Sequence, residues 1–209
     1  MAGFFRRTKN RFLTTLYRSA VFLVFRVKIY YEDPKQKDAP PQGIYISNHM
    51  GHLDGILIRG VFYKKIRLYS LVTSDWMDKK WAKNLLFYED CIPVNRENPG
   101  TGWIHAARKA VKEGASINIF PEGHTSKSEE MDTFKPGFLL LASMIRDLPV
   151  IPVASAGKYS PFFGQRKKVM VGRPVYPDRS RLKDQQSLDE YAEEFRTQIG
   201  EMKKQLLGG

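Results

Sequence analysis

Apolar residues Phe5, Phe12, Leu16, Ala20, Leu23 and Val27 follow one another at steps of seven, four, four, three and four, a spacing that lines one face of an α-helix. Arg7, Arg11, Thr14, Thr15 and Arg18 fall mainly on the other side, and from Ala20 to Phe25 the chain is apolar all round. Residues 31–42 are polar and proline-rich and read as a linker. The period then shortens. Gly43–Ser47 is an apolar run that predicts a buried strand, Asn48–Asp54 a loop, and Leu53–Phe62 a helix. Ile66–Thr73 predicts a second strand, 75–87 a polar-aromatic helix, Ile92–Val94 a short strand and Trp103–Lys112 a helix ended by Gly114. Ala115–Phe120 predicts a strand entering a Pro-Glu-Gly turn. Phe138–Arg146 reads as helix, Val150–Ala154 and Lys168–Val171 as strands. Ser187-Leu188-Asp189-Glu190 has the form of a capping box opening an amphipathic helix that reaches about Leu207.

Strands alternating with helices predict an α/β fold: a single layered domain with a largely parallel sheet flanked by helices, preceded by an N-terminal basic amphipathic helix. The expected division is a helical segment over 1–30, a linker over 31–42 and one folded domain over 43–209. A length of 209 residues suits one full-sized core.

Charge sharpens the reading of the first segment. The formal net charge is +12, which calls for an anionic partner: nucleic acid, anionic lipid or a phosphorylated substrate. Arg6, Arg7, Lys9, Arg11, Arg18, Arg26 and Lys28 occupy the first thirty residues with no acidic residue among them. Cations opposite a Phe and Leu face suit the bilayer interface and anionic headgroups, and packing on the domain core is the competing use of the same stripe. A membrane-spanning helix needs about 20 apolar residues, and the run from Ala20 to Phe25 falls far short. A cleaved signal peptide would need a longer apolar core and a small-residue cleavage site. Phe162 and Phe163 beside Arg166, Lys167 and Lys168 suggest a second lipid contact or a plain hairpin tip. Concentration of charge on an apolar-striped segment favours lipid over nucleic acid. Cys91 is the only cysteine, which excludes an internal disulfide.

Four segments carry candidate chemistry. His49 and Asp54 lie five positions apart across a strand-to-helix turn, where their side chains can meet. The carboxylate would fix the imidazole tautomer and leave the second ring nitrogen to take a proton from a hydroxyl, a task suited to an imidazole at neutral pH. A metal shared by His49, His52 and Asp54, and a core histidine satisfied by Asp54, use the same residues. Phe120–Ser126 ends a strand, where open α/β sheets bind ligands; Gly123 permits close approach, and Thr125, Ser126 and Lys127 supply phosphate donors. Arg96, after the strand at Ile92–Val94, has the bidentate geometry for phosphate. Lys135 stands near a helix start, where anions bind. Gly-x-Ser-x-Gly is absent from the sequence, which argues against a serine hydrolase elbow.

Taken in order, these segments resemble the glycerolipid acyltransferase family, whose best-known members acylate 1-acylglycerol-3-phosphate. Its His-x4-Asp motif matches His49 to Asp54 with Asn48 before it, its arginine-ended strand matches Ile92–Arg96, and its Phe-Pro-Glu-Gly motif matches Phe120–Gly123. Its Lys-x-Gly-x4-Ala pattern matches Lys135, Gly137 and Ala142, and its proline-bearing strand matches Val150–Val153. The likeness runs from about Gly43 to Val175. It implies an acyltransferase domain over 43–209 that moves a fatty acyl group from acyl-coenzyme A or acyl-acyl carrier protein, as cosubstrate, to a lysophospholipid acceptor. The implied acceptor is 1-acylglycerol-3-phosphate, the product phosphatidic acid, and the place the cytoplasmic face of a bilayer with anionic headgroups. It implies no cofactor and no metal, His49 and Asp54 as the catalytic pair, and Arg96, Glu122, Gly123, Thr125, Ser126 and Lys135 as acceptor-binding residues. The family's Thr-Arg-Ser after this motif is His124-Thr125-Ser126 here, and the usual lysine after the second strand is replaced by Thr73 and Ser74. Both changes remove cations, leaving Arg96, Lys127 and Lys135 near the expected phosphate. Another lysolipid acceptor, or hydrolysis of the thioester by the same His-Asp pair, are the alternative activities.

Overall fold

The computed structural model describes residues 15–16, 19–77, 90–95, 97–126 and 130–208. Seven strands form one sheet in the order β1-β7-β6-β2-β5-β3-β4: β1 (Lys28–Tyr31), β2 (Ile44–Ser47), β3 (Leu68–Thr73), β4 (Cys91–Val94), β5 (Ser116–Ile119), β6 (Val150–Ala156) and β7 (Lys168–Val171). The helices are α1 (Asp54–Val61), α2 (Gly102–Lys112), α3 (Gly137–Met144) and α4 (Gln185–Gly208), with a single turn at Ser74–Met77. β6, β2, β5, β3 and β4 run parallel, and β7 turns back antiparallel on β6 with β1 parallel to β7.

Every residue of β2, β5 and β6 is buried, as expected of central parallel strands covered on both faces, and it is why they read as apolar runs rather than alternations. Ile44 and Ile46 of β2 join the cluster packed under α2, α3 and α4, which includes Trp103, Phe138, Phe195 and Ile199. Tyr45 points the other way, into a cluster with Leu57, Ile58, Val61 and Phe62 of α1 and its end. The sheet is therefore the middle layer of three.

The expected layered α/β domain is present, with differences at its N-terminal side. Residues 19–24 are helical, and residues 1–14, 17 and 18 of the expected basic helix lie outside the described residues. The helix does not continue to residue 30. Arg26 takes a left-handed φ of 50°, Val27 N–H donates to Phe22 O (3.1 Å) and Arg26 N–H to Leu23 O (3.3 Å). This paired arrangement is a Schellman stop. Directly after Val27 the chain is β1, paired from Lys28↔Lys168 to Tyr31↔Val171; the β-branched and aromatic Ile29, Tyr30 and Tyr31 suit a strand. The segment expected as a linker is pinned at both ends. Asp33 caps a short 3-10 turn at Pro34–Lys37, and the Gln42 amide donates to Val111 O and Ala115 O.

The expected capping box at Ser187 is displaced by one turn. α4 starts at Gln185, and Asp184 Oδ1 accepts from Ser187 N–H at 2.9 Å. Asp184 is the better-placed acceptor because it stands outside the first turn. Of the helix expected over 75–87 only the turn Ser74–Met77 falls among the described residues. No helix among the described residues is long and apolar enough to cross a membrane.

Candidate active site

The loops after β2 and β5 lie side by side because these strands are neighbours in register, Ile46 opposite Ile119. Asn48 holds the other flank. Its amide donates to Ser155 O (3.0 Å) and its Oδ1 accepts from Ser155 N–H (2.8 Å), so a side chain adds one rung between β2 and β6. The loop carrying His49 is thus clamped at the carboxyl ends of three strands, the usual place for a ligand in an open α/β sheet.

Asp54 opens α1 and is fully buried. Its Oδ2 accepts from His49 Nδ1 (3.2 Å), Met50 N–H (2.6 Å) and Gly51 N–H (2.7 Å). Its Oδ1 accepts from the Tyr159 hydroxyl (2.5 Å) and lies 3.7 Å from Lys167 Nζ. Burial alone would push this carboxyl up; the His49 hydrogen bond, the Lys167 charge and the Tyr159 hydroxyl outweigh it and hold it below the usual carboxylate range. A carboxylate can only accept, so Nδ1 carries the imidazole proton and Nε2 presents its lone pair. The ring stacks on Phe120 at 4.2 Å between centroids. Nε2 faces the Thr125 hydroxyl at 3.3 Å, which donates to it.

The remaining expected site residues take different parts. Glu122 is 1% exposed, and its Oε1 accepts from His49 N–H (2.7 Å) and its Oε2 from Asp132 N–H (3.1 Å). It braces the two loops, with both oxygens turned to the backbone rather than outward to a ligand as expected. Burial pushes its carboxyl up against the pull of these two N–H groups. Gly123 has φ of 75°, and a Cβ there would stand 3.3 Å from Lys135 Nζ, so a side chain would meet both strain and a cation. Lys135 is exposed with its head over this loop, and its N–H donates to Pro121 O at 2.9 Å. Ser126 N–H donates to His49 O (2.8 Å) and its hydroxyl to Glu130 O (2.9 Å). Arg96 and Lys127 lie outside the described residues. Among the described residues no three His, Cys, Asp or Glu side chains are grouped to hold a metal ion.

Tyr159 and Lys167 carried no signal in the sequence. Lys167 sits in the run Arg166-Lys167-Lys168, which reads as surface charge suited to headgroups, yet it is 1% exposed and turned to Asp54. Only the antiparallel return of β7 beside β6 brings it there.

Residues 26–156, well over half of the chain, match the acyltransferase family profile. The 1-acyl-sn-glycerol-3-phosphate acyltransferase of Bacillus subtilis is 29% identical over 185 residues, covering 86% of this chain and 89% of that protein. The chloroplastic 1-acyl-sn-glycerol-3-phosphate acyltransferase BAT2 of Brassica napus is 26% identical, covering 90% of this chain and 57% of its own length. The crystal structure of the 1-acyl-sn-glycerophosphate (LPA) acyltransferase PlsC from Thermotoga maritima shares the fold with a TM-score of 0.64 at 18% identity, over 94% of this chain and 79% of that one. The profile match, on a chain that also shares this fold, makes the protein a member of the acyltransferase family and an O-acyltransferase.

Proposed function

We propose that the protein transfers a fatty acyl group from a thioester donor, acyl-coenzyme A or acyl-acyl carrier protein, to the free hydroxyl of 1-acylglycerol-3-phosphate, giving phosphatidic acid. The observation that carries this reading is the orientation of His49. Its Nδ1 is spoken for by Asp54 and its Nε2 lone pair faces a hydroxyl, so the ring is poised to accept a proton from an alcohol. In the reaction the acceptor hydroxyl displaces the Thr125 hydroxyl from Nε2. The imidazole takes the proton as the oxygen attacks the thioester carbonyl carbon. The tetrahedral adduct collapses by breaking the carbon–sulfur bond, and the imidazolium returns the proton to the departing thiolate. Asp54 stays anionic beside the imidazolium and stabilises it. No covalent enzyme intermediate is required, because the attacking hydroxyl belongs to the substrate.

The acceptor is inferred from the relatives, whose names specify 1-acyl-sn-glycerol-3-phosphate. We assign its phosphate to Lys135, with Arg96 and Lys127 as further cations, in place of the arginine that Thr125 replaces. The bilayer is the place where such an acceptor resides. Leu16, Leu23, Phe162 and Phe163 are exposed at 59%, 75%, 60% and 83%, and Phe162 N–H donates to Val24 O at 2.9 Å. The β6–β7 hairpin tip and the end of the N-terminal helix therefore offer apolar side chains from one contiguous region.

The test is a panel of lysolipid acceptors with one radiolabelled acyl-coenzyme A, and products separated by chromatography. Labelled phosphatidic acid formed only with lysophosphatidic acid supports the reading. Equal use of a lysolipid lacking an exposed phosphate removes the acceptor assignment, and acceptor-independent release of free fatty acid would replace transfer with hydrolysis.

A further inference from the structure

A proton acceptor of the kind proposed above works only if Asp54 remains a fixed anion, although it has no contact with solvent. Three donors converge on its Oδ2, all from residues 49–51. Both groups on Oδ1 come from the β6–β7 hairpin instead. We propose that Tyr159 and Lys167 are positioning residues for acyl transfer, forming a clamp that holds the Asp54 carboxylate ionised and oriented toward His49. This rests on His49 being the base.

The clamp is held by packing as well as by charge. Lys167 Nζ donates to Gly157 O (3.3 Å) and lies 4.4 Å over the Tyr159 ring. The Tyr159 ring meets Phe25 edge-on at 5.1 Å. Gly157 has φ of 80°, and a Cβ there would stand 2.2 Å from Arg166 O, so the two legs of the hairpin touch backbone to backbone. Lys28 N–H donates to Lys167 O at 2.9 Å, tying the second leg to β1.

A buried ammonium is unfavourable unless it is paired. A methionine would fill the same space without that penalty, so the charge calls for an explanation, and the nearest anion is Asp54. The titratable groups facing Asp54 are His49 from the loop after β2, and Tyr159 and Lys167 from the hairpin. Glu122 approaches through the His49 backbone, and Lys203 of α4 repels Lys167. Without Lys167, the imidazolium formed during transfer would be the only cation against a buried carboxylate. That carboxylate would take up a proton at a higher pH and lose its hold on Nδ1.

The experiment measures kcat and the acceptor KM across pH with a long-chain acyl-coenzyme A and lysophosphatidic acid. The proteins are wild type, Tyr159→Phe, Lys167→Met and Asp54→Asn. Each hairpin variant should lower kcat about ten- to a hundredfold, the scale of one hydrogen bond to a charged group, with acceptor KM little changed. Lys167→Met should also move the acid limb of the kcat profile to higher pH. Tyr159→Phe keeps the ring on Phe25 and loses only the hydroxyl, so it decides the question even if Lys167→Met does not fold. Wild-type kcat in a folded Tyr159→Phe overturns the clamp, as does a loss shared equally between kcat and KM, which marks a purely structural role; an unmoved acid limb in a folded Lys167→Met overturns it too. Normal turnover in Asp54→Asn would instead overturn the base assignment. A crippled Asp54→Asn beside normal hairpin variants overturns the clamp alone.

Discussion

Three side chains in line, Asp54, His49 and Thr125, have the outline of a hydrolase triad, yet the proposed chemistry uses only two of them. His49→Ala should lower turnover by roughly 10²–10⁴-fold, the range of general-base contributions, in a protein that still folds, with a modest loss of thermal stability from the hydrogen bond to Asp54. Full activity in that variant would sink the mechanism. Thr125→Val separates direct transfer from an acyl-threonine route. If the threonine hydroxyl merely occupies the acceptor's place at Nε2, kcat should stay within about fivefold of wild type, since one neutral hydrogen bond nets about 1 kcal/mol and the substrate replaces it. A collapse in rate, with acyl-Thr125 found by mass spectrometry in the wild type, would show the opposite. Asp54 also sets a pH dependence. Its pKa is lowered in the folded protein, so its contribution to stability is present in full above the unfolded value of about 3.9 and is lost as pH falls through the folded value. The stability advantage of wild type over Asp54→Asn, read from urea unfolding, should therefore be largest at neutral pH and shrink below about pH 4.

At the scale of elements, the Phe-Pro-Glu-Gly turn earns its place through Glu122. Both of its oxygens accept backbone N–H groups, one in each neighbouring loop segment. Glu122→Gln keeps the shape but turns an amide donor toward one of those N–H groups. A buried donor left unsatisfied costs about 1–3 kcal/mol, so the variant should unfold at lower urea and lose turnover because His49 is no longer held. Unchanged stability would remove the brace. α4 offers a cleaner case. Its start is legible as an N-terminal signal at Ser187–Glu190, but local sequence does not say which polar side chain lies outside the first turn. The fold chooses Asp184, so Asp184→Ala should cost about 1 kcal/mol and the Glu190 end of the supposed box little.

For the whole molecule, the question is how the loop carrying His49 would meet the proposed lipid acceptor. The chain's net charge of +12 is concentrated at its N-terminal end, and exposed Leu23 lies in the same region as Phe162 and Phe163. Val21 is 5% exposed and Lys28–Tyr31 is a strand, so removal of residues 1–28 would damage the fold. Removal of residues 1–14 takes away Arg6, Arg7, Lys9 and Arg11 without touching β1. At about 1 kcal/mol per cation near an anionic surface, affinity for anionic liposomes should fall a hundredfold or more, and Phe162→Ser with Phe163→Ser should weaken it further. Cosedimentation reads both. Binding of the truncated protein at full strength would place the membrane contact elsewhere.

The sequence by itself determined the α/β class, the order of the strands along the chain from β2 onward, and the meeting of His49 with Asp54. Each rests on a local property: a run covered on both faces, a period, or a pair close enough in sequence that one turn brings them together. It also determined where the positive charge is concentrated. It did not determine that residues 28–31 form a strand, because an apolar pair beside a helical stripe satisfies either period until β7 supplies a partner. Nor did it show which cation faces the Asp54 carboxylate. Tyr159 is 105 positions from Asp54, and Lys167 lies farther still, inside a run of three basic residues that look alike on the page. What singles it out is that β6 lies beside β2 and that the chain then turns back along β7. That arrangement places one lysine inside the layer beneath α1 and leaves its neighbour Arg166 outside. Such a choice is made by the pairing of strands distant in sequence, and so belongs to the tertiary structure alone.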